Sequence, residues 1–316
     1  MKIKTEQMAE VILGMREAYF QGGNAMEWCR EYFRNSKMIV EGNDILATLV
    51  AYDLQAGSYV SAARSDRERN RRWCSQLADL IAGVFAEGDS ILEVGVGEAT
   101  TLTGVLGELG SKTGQAFGFD VSWSRVDEGR KWLRENRQEA SLFVADLLII
   151  PMGDDSVDVV YSSHSLEPNR GREEEAVREC LRVARKAVVL VEPIYELASG
   201  KAQARMRHHG YVEGLRATAE HLGADVLDYR LLDYSPNPLN PSGVLCLKKT
   251  GISGSASRTH QAAVWRCPIT GAELKRADDV FYAAEVGMAY PVLKGIPMLR
   301  AEHAIVASKL GSAVPE

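Results

Sequence analysis

Long apolar runs, clustered cysteines and excess positive charge are all scarce in this chain of 316 residues. No apolar run reaches the roughly 18 residues that a membrane-spanning helix needs. The first residues also lack the apolar core and the small-residue cleavage site of a signal peptide. We therefore expect a cytoplasmic protein without membrane insertion.

The five cysteines are scattered along the chain, with neither a CxxC pair nor a Cys/His cluster among them. An odd, unclustered set argues against a disulfide framework and against a structural zinc site. We expect most of them to be buried free thiols, and we predict no metal site. The cysteines are Cys29, Cys74, Cys180, Cys246 and Cys267.

The formal net charge of −6 disfavours a broad nucleic-acid-binding surface. The densest basic segment, residues 64–72, is interrupted by Asp66 and Glu68. Its spacing is typical of a solvated helix face with ion pairs one turn apart. RNA binding by this segment stays open as the less favoured alternative.

Hydrophobic periodicity divides the chain into regions. Residues 1–86 carry apolar residues at helical spacing, which predicts a helical N-terminal region that caps the rest as a lid. Residues 251–261 are rich in glycine and serine and are typical of a flexible linker. Residues 262–316 are too few to hold a large core, so we expect them to form a small unit that leans on the main domain or on a partner.

Residues 87–250 alternate short apolar runs with amphipathic stretches, which predicts an α/β fold with a doubly wound, mostly parallel sheet. The turn-rich connection 235–243 leaves no room for a helix, so the last two strands must pair antiparallel. Five parallel strands and this hairpin make a seven-stranded sheet. Strands are predicted over residues 91–94, 115–119, 141–144, 157–161, 187–191, 225–232 and 244–248, and helices over 100–109, 124–136, 173–184 and 201–222.

The first of these strands runs into a glycine-rich loop. Gly95 and Gly97 allow a tight turn and let a ligand approach the backbone closely. The helix that follows offers free N–H groups to a polar or anionic ligand group. Thr100 stands where the dinucleotide-binding pattern GxGxxG has its last glycine, so this loop alone is a weak motif.

Three acidic residues stand at the ends of the first three strands. Glu93 can order the glycine loop and face a cationic ligand, and Asp120 is placed to accept hydrogen bonds from both hydroxyls of a ribose. Asp146 follows the third strand and could accept a hydrogen bond from the exocyclic amine of an adenine. Because the carboxyl ends of parallel strands share one edge of a sheet, the three acids should meet at one site.

The segment Glu93-Val-Gly95-Val-Gly97, taken with Asp120 and Asp146, resembles the class I S-adenosylmethionine (SAM)-dependent methyltransferases. The resemblance covers about residues 88–249 and includes the fourth-strand segment and the terminal hairpin. Ala99 replaces the family's frequent third glycine. The resemblance implies a methyltransferase with a Rossmann-like fold and SAM as its cofactor. The cofactor-binding residues that it implies are Glu93, Gly95, Gly97, Thr100, Asp120, Val121, Asp146, Leu147, Ser163 and His164.

Methyl transfer needs an acceptor held in line with the methyl group and the exclusion of water, and a hydroxyl acceptor also needs a base. His164 is the preferred base because its ordinary pKa of about 6.5 suits proton transfer near neutrality. A hydrogen bond from His164 to cofactor or loop backbone is the equally weighted alternative. Other candidates for the base are Glu167, His208 and His209.

Acceptor contacts are expected from the helical N-terminal region and from the loop after the fourth strand. Residues 52–59 hold two aromatic side chains and a glutamine, and related enzymes often use such segments to cap cofactor and acceptor. Core packing explains the two tyrosines about equally well. The predicted contacts are Tyr52, Gln55, Tyr59 and Asn169.

Residues 267–274 and 288–299 resemble the small zinc-ribbon-like proteins whose eukaryotic members activate RNA and release-factor methyltransferases. Of the four zinc ligands in such a ribbon only Cys267 is present, so a closed zinc site cannot form. We expect a small α+β unit with a structural role, covering apolar surface on the catalytic domain or on a second subunit.

The favoured function is methylation of oxygen or nitrogen on a small molecule: a sugar, a natural-product intermediate or a cell-surface glycan precursor. An RNA or protein methyltransferase is the alternative, motivated by the activator-like segment and residues 64–72. A non-catalytic SAM-binding protein and, more weakly, a NAD-dependent dehydrogenase also stay open. The expected partner is a small-molecule acceptor rather than a nucleic acid, and a homodimer is left open.

Overall fold

The computed structural model describes residues 5–36, 45–249 and 263–310. The predicted linker, residues 251–261, lies outside these ranges. No helix within them is long and apolar enough to cross a membrane.

The predicted helical N-terminal region is confirmed, with five helices before the first strand in the part of the chain that the structure describes. Helices α1 to α3 pack around a small core of their own that includes Val11, Met15 and Phe33. Asn24 caps α2, since its side-chain oxygen accepts hydrogen bonds from two backbone N–H groups of the first turn. The helices are α1 (Thr5–Phe20), α2 (Ala25–Asn35), α3 (Ile45–Leu54), α4 (Ser58–Ser65) and α5 (Arg67–Ala82).

A seven-stranded sheet forms the centre of the molecule. Its strands are β1 (Ile91–Val94), β2 (Ala116–Asp120), β3 (Ser141–Val144), β4 (Val157–Ser163), β5 (Ala184–Pro193), β6 (Asp225–Leu231) and β7 (Ser242–Lys248). They lie in the order β3-β2-β1-β4-β5-β7-β6. The first five are parallel, and β7 pairs antiparallel with both β5 and β6. The predicted mostly parallel sheet with a terminal hairpin is therefore confirmed.

Helices cover both faces of this sheet. Apolar side chains of α5, α6 and α7 pack on one face, and those of α8 and α10 pack on the other. Every residue of β1 and β2 is buried, as expected for strands of a parallel sheet that is covered on both sides. These helices, with α9, are α6 (Thr100–Leu109), α7 (Trp123–Glu135), α8 (Glu173–Val183), α9 (Gly200–His209) and α10 (Leu215–His221).

The single helix predicted over residues 201–222 is wrong, because the chain forms two helices there. Gly210 ends α9 in the left-handed region at φ 67°, and Gly214 precedes α10 at φ 71°. Both conformations suit glycine, which has no Cβ to clash. Between them the Val212 N–H donates to the Glu167 carbonyl at 3.0 Å. The break therefore brings this segment against the loop after β4.

The C-terminal residues 263–310 form a small antiparallel sheet. Its strands are β8 (Lys275–Ala277), β9 (Val280–Ala283), β10 (Met288–Leu293), β11 (Ile296–Pro297) and β12 (Ile305–Val306). The helical content of this unit in the described residues is one 3₁₀ turn, Ala301–His303. Cys267 Sγ lies 3.2 Å from the Tyr290 hydroxyl. The likeness to a zinc ribbon stays a prediction.

This unit packs on the β3 edge of the large sheet. The Leu299 N–H donates to the Val144 carbonyl at 2.8 Å, which pairs the unit with the backbone of β3. Trp265 places its ring edge-on to Phe143, with 4.9 Å between ring centroids. Arg130 of α7 donates from Nη1 to the Lys294 carbonyl at 2.8 Å. The C-terminal unit therefore covers a strand edge and an apolar surface of the main domain.

Candidate active site

A cavity of about 750 Å³ lies at the carboxyl ends of β1 to β4. Its walls are the strand ends, helices α3 to α5, the loop after β4, and the β6–β7 loop of residues 232–241. The volume lies within the range of small-molecule sites. All ten predicted cofactor-binding residues line it: Glu93, Gly95, Gly97, Thr100, Asp120, Val121, Asp146, Leu147, Ser163 and His164.

The glycine loop at the end of β1 has little space for side chains. Gly95 has φ 66°, and a Cβ built there would lie 2.2 Å from the Cβ of Ser165. Ala99 also takes a positive φ, of 53°, which explains why glycine suits this position in the family. Its methyl group faces Gly129 of α7, where an added Cβ would lie only 3.1 Å away. Because Gly129 has no side chain, the loop accommodates Ala99 where the family frequently has a glycine.

Asp120 ties the end of β2 to the glycine loop. Its Oδ2 accepts from the Gly97 N–H at 3.1 Å, and its Oδ1 accepts from the Ser122 N–H at 2.9 Å. Burial raises the pKa of this carboxyl group above its usual range. Each carboxylate oxygen has a second lone pair, so Asp120 can still accept hydrogen bonds from a ligand.

Glu93 is the most deeply buried acid of the three, with 2% of its surface exposed. It accepts a hydrogen bond from the Tyr161 hydroxyl at 2.9 Å. Burial raises the pKa of Glu93 to about 8. A cationic ligand group would stabilise the charged carboxylate, because opposite charges attract strongly in a site of low dielectric constant.

Asp146 starts the turn after β3. Its Oδ1 accepts from the Leu148 N–H at 2.9 Å, which holds the carboxylate at the cavity wall. The neighbouring Leu147 and Leu148 line the same part of the cavity. A flat aromatic ring bound here would contact these leucines, and a hydrogen-bond donor on the edge of that ring would reach the Asp146 carboxylate.

His164 follows β4 in a strained conformation, with φ 57°. Its Nδ1 lies 3.1 Å from Glu167 Oε2, and its Nε2 lies 2.7 Å from the buried Ser242 hydroxyl. Burial opposes a charge on the ring, yet the Glu167 carboxylate raises the pKa of His164 above its ordinary value. Both ring nitrogens therefore have protein partners, and the ring itself lines the cavity.

Glu192 at the end of β5 fixes the loop that carries His164. Its carboxylate accepts from three consecutive backbone N–H groups, those of Ser165, Leu166 and Glu167, at 3.0–3.2 Å. Burial raises the pKa of Glu192 to about 7. The sequence reasoning named no role for this residue, although the strand-end rule applied to Asp120 could have been extended to β5.

The other base candidates do not line the main cavity. Glu167 lines an adjoining cavity of about 160 Å³, together with His209 and Tyr211. Tyr52 contributes to the walls of both cavities. His208 is exposed near the end of α9 and lines neither. Burial lowers the pKa of His209.

The predicted acceptor contacts gather around Arg125, which the sequence reasoning missed. The Arg125 guanidinium carbon lies 4.7 Å from the ring centre of Tyr52 and 4.5 Å from that of Tyr59. Its Nη2 donates to Gln55 Oε1 at 3.4 Å, so Gln55 contacts the arginine while the two tyrosines line the cavity. Asn169 also lines the cavity, and its amide donates to two backbone carbonyls of the preceding turn.

Glu98 links the glycine loop to the start of helix α4. The sequence reasoning also missed this residue. It is fully buried, and its two oxygens accept from the N–H groups of Gly57 at 2.9 Å and Val60 at 2.7 Å. These groups open the first turn of α4, so a residue of the glycine loop caps this helix. Tyr59 is thereby held near Gly97.

Residues 5–36, 45–249 and 263–310 contain no group of three or more His, Cys, Asp or Glu side chains that could hold a metal ion. All five cysteines lie buried as thiols.

Comparison with models of protein families identifies the segment that builds most of this site. Residues 91–187 match a methyltransferase domain. The matched segment includes Glu93, Asp120, Asp146 and His164. The chain therefore contains a methyltransferase domain, with a Rossmann-like fold and SAM as its cofactor. Among curated proteins, no sequence matches this chain.

Solved structures with a similar fold include a chain of the complex between the Haloferax volcanii Trm112 methyltransferase activator and a methyltransferase. It is 18% identical, with a TM-score of 0.47, over 60% of this chain and 95% of that one. A SAM-dependent methyltransferase from Aquifex aeolicus is 16% identical, with a TM-score of 0.41, over 55% and 89%. Magnesium protoporphyrin IX methyltransferase from Synechocystis is 12% identical, with a TM-score of 0.46, over 76% and 100%. These values are low, so nothing about substrate or partner follows from them.

Proposed function

We propose that this methyltransferase transfers its methyl group to an oxygen or nitrogen of a small molecule: a sugar, a natural-product intermediate or a cell-surface glycan precursor. The observation that carries the proposal is the cavity of about 750 Å³ between the strand ends and helices α3 to α5. A site covered in this way suits a small acceptor better than a macromolecular one, because the helices restrict access to it.

Three acidic side chains at the strand ends match polar groups of the cofactor. Glu93 would face a cationic group of SAM, Asp120 would accept from the ribose hydroxyls, and Asp146 would accept from the adenine amine. When bound, SAM supplies a methyl group that is already activated on a positively charged sulfur. The task left to the protein is to position the acceptor and to exclude water.

Helices α3 and α4 would exclude that water. Tyr52 and Tyr59 lie on the cavity side of these helices, and Arg125 and Glu98 hold them against the glycine loop. We assign the lid function to this segment, with the two tyrosines and Asn169 as acceptor contacts.

His164 would serve as the base for a hydroxyl acceptor. If its Nδ1–H points at the Glu167 carboxylate, Nε2 is the basic nitrogen. That nitrogen must exchange its hydrogen bond with Ser242 for one with the acceptor. Catalytic hydrogen bonds often form only in the complex with substrate, so the present geometry is compatible with this role.

The basic segment 64–72 favours the small-molecule function over RNA methylation. Arg64 pairs with Glu135, Arg71 pairs with Glu68, and Arg72 stacks on the Tyr234 ring at 4.1 Å. Much of its positive charge is therefore engaged within the protein, which leaves less of it for a polyanion.

A labelling experiment tests the proposal. Binding of SAM, S-adenosylhomocysteine and NAD is first measured by titration calorimetry, and SAM with a radioactive methyl group is then incubated with the protein and an extract of its source organism. Label in the low-mass fraction supports a small acceptor. Label in RNA or protein favours the macromolecular alternative, and tight SAM binding with no label in any fraction favours a non-catalytic role.

A further inference from the structure

One wall of the cavity comes from two segments far apart in the sequence. Helix α5 contributes Arg69, Asn70 and Trp73, and the β6–β7 loop contributes Asn237 and Asn240. We call Arg69, Asn70 and Asn237 the donor wall. It lies at the end of the cavity formed by α5 and this loop, whereas Glu93, Asp120 and Asp146 lie at the strand ends.

The loop is fixed against the helix by paired contacts. Gln76 Nε2 donates to the Tyr234 carbonyl, and the Tyr234 N–H donates to Gln76 Oε1, each at 3.1 Å. The Arg72 guanidinium also lies 4.1 Å from the centre of the Tyr234 ring. Gln76, Arg72 and Tyr234 do not line the cavity, so contacts outside it hold the donor wall in place before any ligand binds.

The side chains of the donor wall offer mainly hydrogen-bond donors. A guanidinium group has five N–H donors and no acceptor, and each asparagine adds an NH₂ group. Asp66 also lines the cavity, and its Oδ1 accepts from the Arg69 backbone N–H as the cap of α5. Among the residues that the structure describes, no carboxylate lies within ion-pair distance of the Arg69 guanidinium, whereas Arg71 on the same helix pairs with Glu68.

The arginines that line the cavity differ in their partners. Arg170 pairs with Glu213, Arg172 pairs with Glu175, and Arg125 donates to the Tyr52 carbonyl. Among the described residues, Arg69 is the lining arginine whose guanidinium has no such partner. A ligand group that satisfies a guanidinium and two amides together is one rich in negatively charged oxygen.

We propose that the donor wall is a subsite for an anionic oxygen group of the acceptor, a carboxylate or a phosphate. This inference rests on the proposed function, because it names the chemical class of the small molecule that is methylated. It also gives a reason for the orientation of the acceptor: anchoring its anionic end at Arg69 directs the remainder toward His164 and the strand ends.

The test uses inorganic phosphate and acetate as probes, with glycerol as a neutral control. The full-length protein, saturated with S-adenosylhomocysteine, is titrated with each at constant ionic strength while the arginine Nε–H and asparagine amide signals are followed by NMR. We expect saturable shifts of the Arg69 signal with at least one anion. The substitution Arg69→Gln should weaken anion binding, followed through the asparagine amides, by about tenfold or more, since it removes a charge-assisted hydrogen bond.

Arg71→Gln is the matched control, because Arg71 lies on the same helix but is paired with Glu68 and does not line the cavity. Arg71→Gln should leave anion binding unchanged. Whichever of phosphate and acetate binds more tightly identifies the anionic group of the acceptor. Absence of saturable shifts with both anions, equal shifts with glycerol, or equal binding in Arg69→Gln would each overturn the subsite. Failure to bind S-adenosylhomocysteine in the first place would instead contradict the proposed function.

Discussion

Buried carboxylates at the strand ends organise the loops around the candidate site. Asp120 accepts from Gly97 and Ser122, and Glu192 accepts from three N–H groups of the loop that carries His164. A buried carboxylate is costly unless hydrogen bonds or a cation compensate it, which is why burial raises the pKa of each. Changes at these residues should therefore alter ligand binding and loop order together.

Asp120→Ala should weaken SAM binding by about tenfold to a hundredfold. The substitution removes the acceptor for the ribose hydroxyls and releases the Gly97 N–H. Titration calorimetry measures the effect, and Asp127→Asn on α7 is the control, since that carboxylate pairs with Arg130 and Lys131 and does not line the cavity. Unchanged affinity in Asp120→Ala would refute the placement of the ribose.

SAM affinity should rise with pH between 6 and 8, because a cation binds the ionised form of Glu93. Burial raises the pKa of Glu93 to about 8. Below that pH, Glu93 is protonated in most molecules and must lose its proton when SAM binds. The dissociation constant should therefore increase by up to about tenfold per pH unit as the pH falls. Glu93→Gln should remove this dependence in calorimetric titrations, and a pH profile identical to that of the unmodified protein would contradict the assignment.

At the scale of elements, the first turn of α4 depends on a residue of the glycine loop. Gly57 precedes this short helix in the left-handed region, at φ 96°, and its own side chain cannot cap the helix. Glu98 satisfies two N–H groups instead, and Asp53 at the end of α3 accepts from the Ser122 hydroxyl at 3.0 Å. Helices α3 and α4, the proposed lid, are therefore attached to the same loops that would hold the cofactor.

Glu98→Gln should loosen the lid, because an amide can accept from only one of the two N–H groups without placing a donor against the other. A lost helix cap costs about 1 kcal/mol, so hydrogen exchange at Gly57 and Val60 should accelerate several-fold. Glu135→Gln is the control: its pair with Arg64 also joins α4 to α7, but both side chains are about half exposed and contribute little. Equal exchange protection in the two variants would show that Glu98 does not hold the lid.

Sequence patterns predicted these elements to different degrees. Strands β1 and β3 and helix α6 have the predicted bounds. Strand β5 extends three residues earlier and two later than predicted, through polar residues at both ends. The strand-end acids could be placed because parallel topology alone brings them together. Glu98 and Arg125 could not, because their partners lie about 40 and 70 residues away in the N-terminal helices.

At the scale of the whole molecule, the C-terminal unit extends the main apolar core. Phe281 and Leu299 belong to the same buried cluster as Phe117 and Phe143 of the large sheet. Trp265 contacts three of these aromatic rings edge-on. Because strand β3 is the edge of the sheet, the unit also covers backbone that would otherwise be exposed to pairing with another chain.

Trp265→Ala should destabilise the whole protein rather than the C-terminal unit alone. The substitution removes the ring between Phe143 and Phe281 and should lower the free energy of unfolding by about 3 kcal/mol. If the shared core couples the two sheets, calorimetry should show one transition that shifts to lower temperature. Val306→Ala, at a side chain in β12 that is 76% exposed, should leave the transition in place. A separate early transition in Trp265→Ala, with the main peak unmoved, would show that residues 263–310 unfold independently of the catalytic domain.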